Sequence, residues 1–300
     1  MTDPVASAPT AARSSESRGI SLRSLLRNKA ATAALVYLLL VGLAAALAPV
    51  LPIVSPDKQN LRARFVAPVS QAPAAAGHPL GTDQLGRDIL SRLVNGARVS
   101  LSVGFLVVLI AAVFGSALGL LAGYLGGRVE TLIMRITDVF LAFPFLLLAV
   151  VFMATLGPSL KNVILVLSLT GWVEYARVVR AQVLSLRNIE YVKAAESLGA
   201  QAPRLMAKHI LPNIVGPTIV IASLHVGSVI IAEASLTFLG LGVPPSVPTW
   251  GMMLATGRDY LAVAWWLSTL PGVAIVLTVL SLNFLGDWLR DAIDPTLGRS

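Results

Sequence analysis

The sequence predicts an all-α integral membrane protein that crosses the bilayer six times. Three observations predict it. Hydrophobic residues fill 56% of the 300 positions and charged residues only 13%, against about 25% charged in a soluble globule. The apolar residues gather in runs near the ~20 that a spanning helix needs. Lys and Arg collect on alternate connecting segments, the pattern that sets membrane orientation. The net charge of +8 is scattered between apolar runs, which fits anionic lipid on the cytoplasmic face rather than nucleic acid. The chain has no cysteine, so disulfides and thiolate metal sites are excluded.

Taken in order, residues 1–28 are rich in Ser, Ala and Arg without apolar periodicity and read as a disordered cytoplasmic tail. Residues 29–54 form the first transmembrane helix around the run Ala30–Ala48. Ala46-Leu47-Ala48 looks like a signal-peptide cleavage site, but the run is too long for a signal peptide and Pro49 follows directly, so the helix reads as an uncleaved anchor. Residues 55–98 read as an extracytoplasmic loop, irregular at Pro56, Pro68, Pro73 and Pro79. A short amphipathic helix closes it, with Ile89, Leu90, Leu93, Val94 and Ala97 on one face and Asp88, Ser91, Arg92 and Asn95 on the other. That helix is expected to lie along the outer membrane surface, capped by Thr82 or Asp83.

The transmembrane domain spans residues 97–287. Its apolar runs are Val99–Ala122, Val139–Leu156, Val163–Val173 (extended to Val183 to reach spanning length), Ile214–Ala232 and Trp265–Leu285. Gly126-Gly127 turns the chain inside and Gly157-Pro158 outside. After the fifth span, the stretch from Phe238 to Gly251 is broken by Gly and Pro, so it reads as an external loop. Trp250, Tyr260, Trp265 and Trp266 suit an interfacial belt there. The loop is a contact for a substrate-delivering partner, a cover over the pore mouth, or both. Residues 288–300 complete the chain as a cytoplasmic tail. Most Lys and Arg then fall inside with both termini cytoplasmic, although Lys58, Arg62, Arg64, Arg87, Arg92 and Arg98 lie in the long first outer loop.

Ionisable residues inside spans are expensive, so each carries an expectation. His225 either lines a path or hydrogen-bonds a neighbouring helix as a neutral ring. Glu233 pairs with a substrate amine or with Arg258, as a structural pair or a gate. Asp138 makes a boundary salt bridge with Arg135. Arg177 and Arg180 fall at the cytoplasmic boundary, and Glu174 lies there or faces the bundle.

One polar segment stands out among the apolar runs. Asn188–Leu198 favours helix, Gly199 supplies a left-handed terminator, and Gln201-Ala202-Pro203 restarts a helix that meets a Leu211-Pro212 break before the fifth span. Small Ala194 and Ala195 permit close approach of another surface, and Glu196 offers a rim contact. The alternative is an amphipathic hairpin resting on headgroups.

Ala194, Ala195, Gly199, Leu211 and Pro212 fall on the pattern Glu-Ala-Ala-x3-Gly-x9-Ile-x-Leu-Pro and so resemble the cytoplasmic coupling loop of ABC-importer permeases. Lys193 stands at the glutamate position and His209 at the isoleucine; either Glu196, one turn on, compensates for the reversed charge or the partner ATPase carries a matching acid. The segments His78–Leu93, Ala142-Phe143-Pro144, Arg180–Ser185, His209–Asn213, Ser235–Pro245 and Asp287–Asp291 resemble the dipeptide/oligopeptide branch, in its second of two paralogous permease chains.

The resemblance implies a type I ABC importer transmembrane domain with a cytoplasmic coupling helix. Its partners would be a paralogous permease, ATPase subunits and an extracytoplasmic binding protein. Lys193, Ala194, Ala195, Glu196, Gly199, Leu211 and Pro212 would carry ATPase coupling, and His225 and Glu233 would belong to the path or gate. The chain has no Gly-x4-Gly-Lys-Ser/Thr loop and no convincing metal or nucleophile constellation. It reads as a non-catalytic subunit without cofactor, with ATP and Mg held by its partners. Similar permeases move peptides, nickel or its chelates, or glutathione. A secondary transporter would instead predict inverted repeats and discontinuous charged helices, and would have no use for the polar loop.

Overall fold

The computed structural model describes residues 22–69 and 77–293. The expected disorder of residues 1–21 and the tail from residue 294 therefore lie outside the described residues. The chain is helical from Leu22 onward: α1 (Leu22–Arg27) and α2 (Lys29–Leu47) flank Asn28, whose Oδ1 accepts the Ala31 N–H at 3.1 Å and caps α2. Then follow α3 (Ile89–Leu125), α4 (Gly127–Leu141), α5 (Phe145–Leu156), α6 (Leu160–Leu186), α7 (Glu190–Ser197), α8 (Ala202–Leu205), α9 (Leu211–Phe238), α10 (Trp250–Gly257) and α11 (Trp266–Ile293). Helix α1 covers residues 22–27 of the segment expected to be disordered, and α11 continues through 288–293.

Among the described residues five helices are long and apolar enough to cross a membrane, and the bent pair α4–α5 brings the number to six if it is counted as one span. That third span is not the single helix the sequence predicted. Its two halves meet at 86° across Ala142-Phe143-Pro144. Pro144 has no N–H and biases the residue before it away from helix, so α4 stops and α5 starts on a new axis. With 12 residues, α5 is about 18 Å long, too short to cross ~30 Å of hydrocarbon alone. The fourth span does continue past Val183, as α6.

Glycine spacing builds the centre of the bundle. Gly115, Gly119 and Gly123 recur every fourth residue on α3, so no side chain separates it from α6. A Cβ at Gly119 would lie 2.5 Å from the Ala176 carbonyl oxygen, and one at Gly123 would lie 2.8 Å from the Val183 Cβ. At Gly115 it would overlap the Trp172 carbonyl. Around this seam pack α9, α11 and α2, with the Tyr37 hydroxyl donating to the Ala274 carbonyl at 3.3 Å.

The region around the first loop corrects several expectations. The amphipathic segment does not lie on the membrane surface; it is the first part of α3, which runs unbroken for 37 residues. Its polar face finds protein rather than headgroups. Ser91 Oγ donates to the Val54 carbonyl, and Arg92, only 2% exposed, sits 3.9 Å from Asp83. The cap is Asp88, whose Oδ2 accepts the Ser91 N–H at 2.7 Å, not Thr82 or Asp83. Asp83 instead gathers the loop: its carboxylate accepts the Leu85 N–H at 2.8 Å, the Arg87 N–H at 2.9 Å and the Arg87 Nε–H at 2.6 Å. Gly86, at φ +70°, has its α-carbon so close to the Asn60 carbonyl that any side chain would overlap it.

Trp250 and Trp266 are buried ties rather than belt residues. Their indole N–H groups donate to the Leu93 carbonyl at 3.0 Å and the Thr82 carbonyl at 3.2 Å. Trp265 is exposed, and Tyr260 packs against Phe65 at 5.1 Å between ring centroids. The stretch after α9 is therefore a helix-bearing lid, with α10 packed against α3, α9 and α11.

Candidate functional site

Two features stand apart from the packed bundle: the loop over residues 190–212 and a cavity beside the break at Pro144.

In the loop, α7 is short because Leu198 and Gly199 end it in a Schellman turn. The Gly199 N–H bonds the Glu196 carbonyl at 2.9 Å, and the Ala200 N–H bonds the Ala195 carbonyl at 3.1 Å. Gly199 sits at φ +86°, the left-handed conformation expected of it. Pro203 lies in the first turn of α8, also as expected.

The Leu211-Pro212 break is absent. Instead Met206–Ile210 widen into a π-turn, with the Leu211 N–H reaching the Met206 carbonyl. This bulge leads α8 into α9 without a stop and takes up the N–H missing at Pro212.

The loop is firm at its root and bare at its tip. Val192, Leu205 and Ile210 are buried. Ile210 and Ile214 join Val179 and Val183 of α6 in one cluster that also packs Leu120 and Tyr124 of α3. Asn213 Nδ2 donates to the His209 carbonyl at 2.6 Å and to the Tyr191 hydroxyl at 3.3 Å, and the His209 ring packs beside Tyr191. At the tip Leu198 is 89% exposed. Lys193, Ala194, Glu196, Gly199, Leu211 and Pro212 are exposed, and Ala195 is half-buried. Lys193 and Glu196 form no ion pair, with each other or with any other described residue.

The cavity, about 580 Å³, opens where α4 breaks from α5. Phe140, Leu141, Phe143, Phe145 and Leu148 wall one side, and Glu174 and Arg177 of α6 with His225 of α9 stand opposite. His225 lines the cavity, and its Nδ1 lies 3.0 Å from the Tyr175 hydroxyl of α6, the expected hydrogen bond to a neighbouring helix. Glu233 does not line it. It is 1% exposed, and its Oε1 accepts from Thr237 at 2.9 Å and Thr249 at 3.0 Å, fastening α9 to the lid. No Glu233–Arg258 pair forms: Arg258 lies 4.7 Å over the Phe238 ring and donates to the Phe238 carbonyl.

The boundary charges also rearrange. Arg180 pairs with Glu130 of α4, its Nε donating to Oε1 at 2.7 Å, and Arg187 donates to the Gly123 carbonyl at 3.1 Å. Arg135 and Asp138 form no ion pair with each other or any described residue. Glu174 and Arg177 face the cavity. Glu174 lies 14 residues into α6, about 21 Å from its start. Sequence reasoning missed them as cavity residues, although counting depth from Ser159, which caps α6, would have placed them there.

The known proteins agree with this architecture. Residues 115–299 match the family described as binding-protein-dependent transport system inner membrane component. Residues 19–73 match the N-terminal TM domain of oligopeptide transport permease C. The di/tripeptide transport system permease protein DppC of Pseudomonas aeruginosa is 45% identical over 92% of this chain and 91% of its own length. The dipeptide transport system permease protein DppC of Haemophilus influenzae is 40% identical over 90% of this chain and 92% of its own. A structure of the MetNI methionine ABC transporter, in an inward-facing conformation, superposes with a TM-score of 0.53 at 20% identity, covering 68% of this chain and 97% of that one, a likeness of fold. This chain belongs to the family of binding-protein-dependent transport system inner membrane components, as a multi-pass permease subunit of the ABC type.

Proposed function

We propose that this chain moves di- and short oligopeptides across the cytoplasmic membrane beside a paralogous permease, fed by an extracytoplasmic binding protein and driven by partner ATPase subunits that hold ATP and Mg. The names of its relatives support the cargo. Both termini face the cytoplasm, so residues 190–212 project towards the ATPases and the lid with α10 faces the binding protein.

The observation that carries the coupling role is the contrast within one short loop. Its root is packed into α6 and α9 by the cluster of Val179, Val183, Ile210 and Ile214. Its tip leaves Leu198, Lys193 and Glu196 without a cover in this chain. A protruding apolar residue ringed by small residues and two charges suits insertion into a cleft of another protein. Closure of the ATPases would push on Ala194, Ala195 and Leu198. The packed root would carry that motion into α6 and α9, the two helices that hold the cavity wall opposite the Pro144 break. Leu211 and Pro212 sit at the π-turn, where the lever joins α9.

Lys193 is positioned to meet an acidic residue of the ATPase. In the assembled transporter reconstituted into liposomes, Lys193→Glu is expected to uncouple ATP hydrolysis from dipeptide uptake or to loosen ATPase binding. Unchanged coupling and assembly would rule out that contact. Calorimetric titration of the cognate binding protein with dipeptides tests the cargo, and absence of peptide binding would refute it while leaving the fold untouched.

A further inference from the structure

Glu174 and Arg177 are oppositely charged, one helical turn apart on α6, and both line the cavity beside the Pro144 break. Both are exposed in this chain, and neither has an ion pair or side-chain hydrogen bond among the described residues. They do not pair with each other, although their spacing would allow it. Glu174 lies near the middle of α6 and Arg177 one turn further on, and charges exposed on a spanning helix without an ion pair mark a pathway or a binding site. The remaining wall is mostly apolar, supplied by Phe140, Phe143, Phe145 and their neighbours.

We propose that Glu174 and Arg177 form a dipolar relay that reads the two ends of a passing peptide. The Glu174 carboxylate takes the peptide's α-ammonium and the Arg177 guanidinium takes its α-carboxylate. This rests on the peptide reading given above. The lengths agree: side chains at this spacing have Cβ atoms about 5–6 Å apart, and an extended dipeptide spans about 7 Å. The volume of about 580 Å³ falls in the usual range of small-ligand sites, roughly 300–1,000 Å³. Apolar and aromatic walls accept many side chains without selecting one. The site would therefore recognise the zwitterionic backbone and tolerate sequence, which is the selectivity a di- or tripeptide importer needs.

The test uses the whole transporter in liposomes, with binding protein supplied and a radiolabelled dipeptide as probe. Glu174→Gln and Arg177→Gln should each lower initial uptake at sub-saturating peptide about tenfold, the size expected for losing one charge-assisted hydrogen bond. Subunit assembly and the binding protein's own peptide affinity should not change. This chain contains no cysteine, so Glu174→Cys gives it a single thiol. A water-soluble thiol reagent should label that residue, and saturating dipeptide should slow the labelling.

Wild-type uptake from both charge-removed variants overturns the relay. So does loss of subunit assembly, which would mean that these residues pair with the second permease. A wild-type complex that hydrolyses ATP yet takes up no dipeptide overturns the peptide reading, and the relay with it.

Discussion

The two sides of this molecule treat charge and apolar surface in opposite ways. At the end that carries the first loop, Asp83, Arg87 and Arg92 are buried against one another, and the indoles of Trp250 and Trp266 spend their only donors on backbone carbonyls of α3 and the first loop. At the other end, the loop of residues 190–212 buries its root and leaves Lys193, Glu196 and Leu198 uncovered. A region that satisfies its own groups is scaffold. On the function proposed above, the region that leaves them open is the one a partner would cover and move.

Breaking the external contacts should have the largest effect. Asp83→Ala removes the carboxylate that pairs with buried Arg87 and lies 3.9 Å from buried Arg92, which costs about 3–5 kcal/mol. A large drop in the thermal unfolding midpoint of the purified complex, with less folded protein recovered, is the expected result. A midpoint near wild type would show that the network contributes little.

At the loop, Gly199→Ala forces a residue with a β-carbon to φ +86° where nothing crowds it, so the penalty is backbone strain alone, about 1–2 kcal/mol. It should distort the Schellman turn and lower uptake per ATP hydrolysed while global melting shifts little. Equal losses of melting temperature and coupling would blur the contrast between the two sides.

The smallest effect on stability should come from Leu198→Ser. A residue 89% exposed supports the fold by less than about 0.5 kcal/mol. Its melting curve should match wild type while stimulation of ATP hydrolysis by the loaded binding protein falls. If stability falls instead, Leu198 is part of the chain's own packing.

The sequence made the spans legible because apolar length is a nearly sufficient signal in lipid. It also made the loop's caps legible, since Gly199 and Pro203 act through local backbone geometry. What it hid depends on tertiary partners. Trp250 and Trp266 have the composition of an interfacial belt, and only the approach of Leu93 and Thr82 makes them internal ties. Polar Ser91 and Arg92 read as facing water until the first loop folds over them. Pro144 was visible within Ala142-Phe143-Pro144, yet the surrounding apolar run favoured one straight helix over a broken one. The spacing Gly115-x3-Gly119-x3-Gly123 was readable and was passed over. Pro212 promised a break, but a π-turn absorbed it. Glu174 and Arg177 could not be read as cavity residues because the fourth apolar run is short, whereas α6 continues past them to Leu186.

Hydrogen exchange on the permease pair, with and without its ATPase subunits, tests the central claim most directly. Backbone amides of residues 190–200 should exchange more slowly when the ATPases are bound, while those of residues 78–92 keep the protection that internal contacts already give them. Unchanged exchange in 190–200, or a change confined to the external loop, would contradict the account.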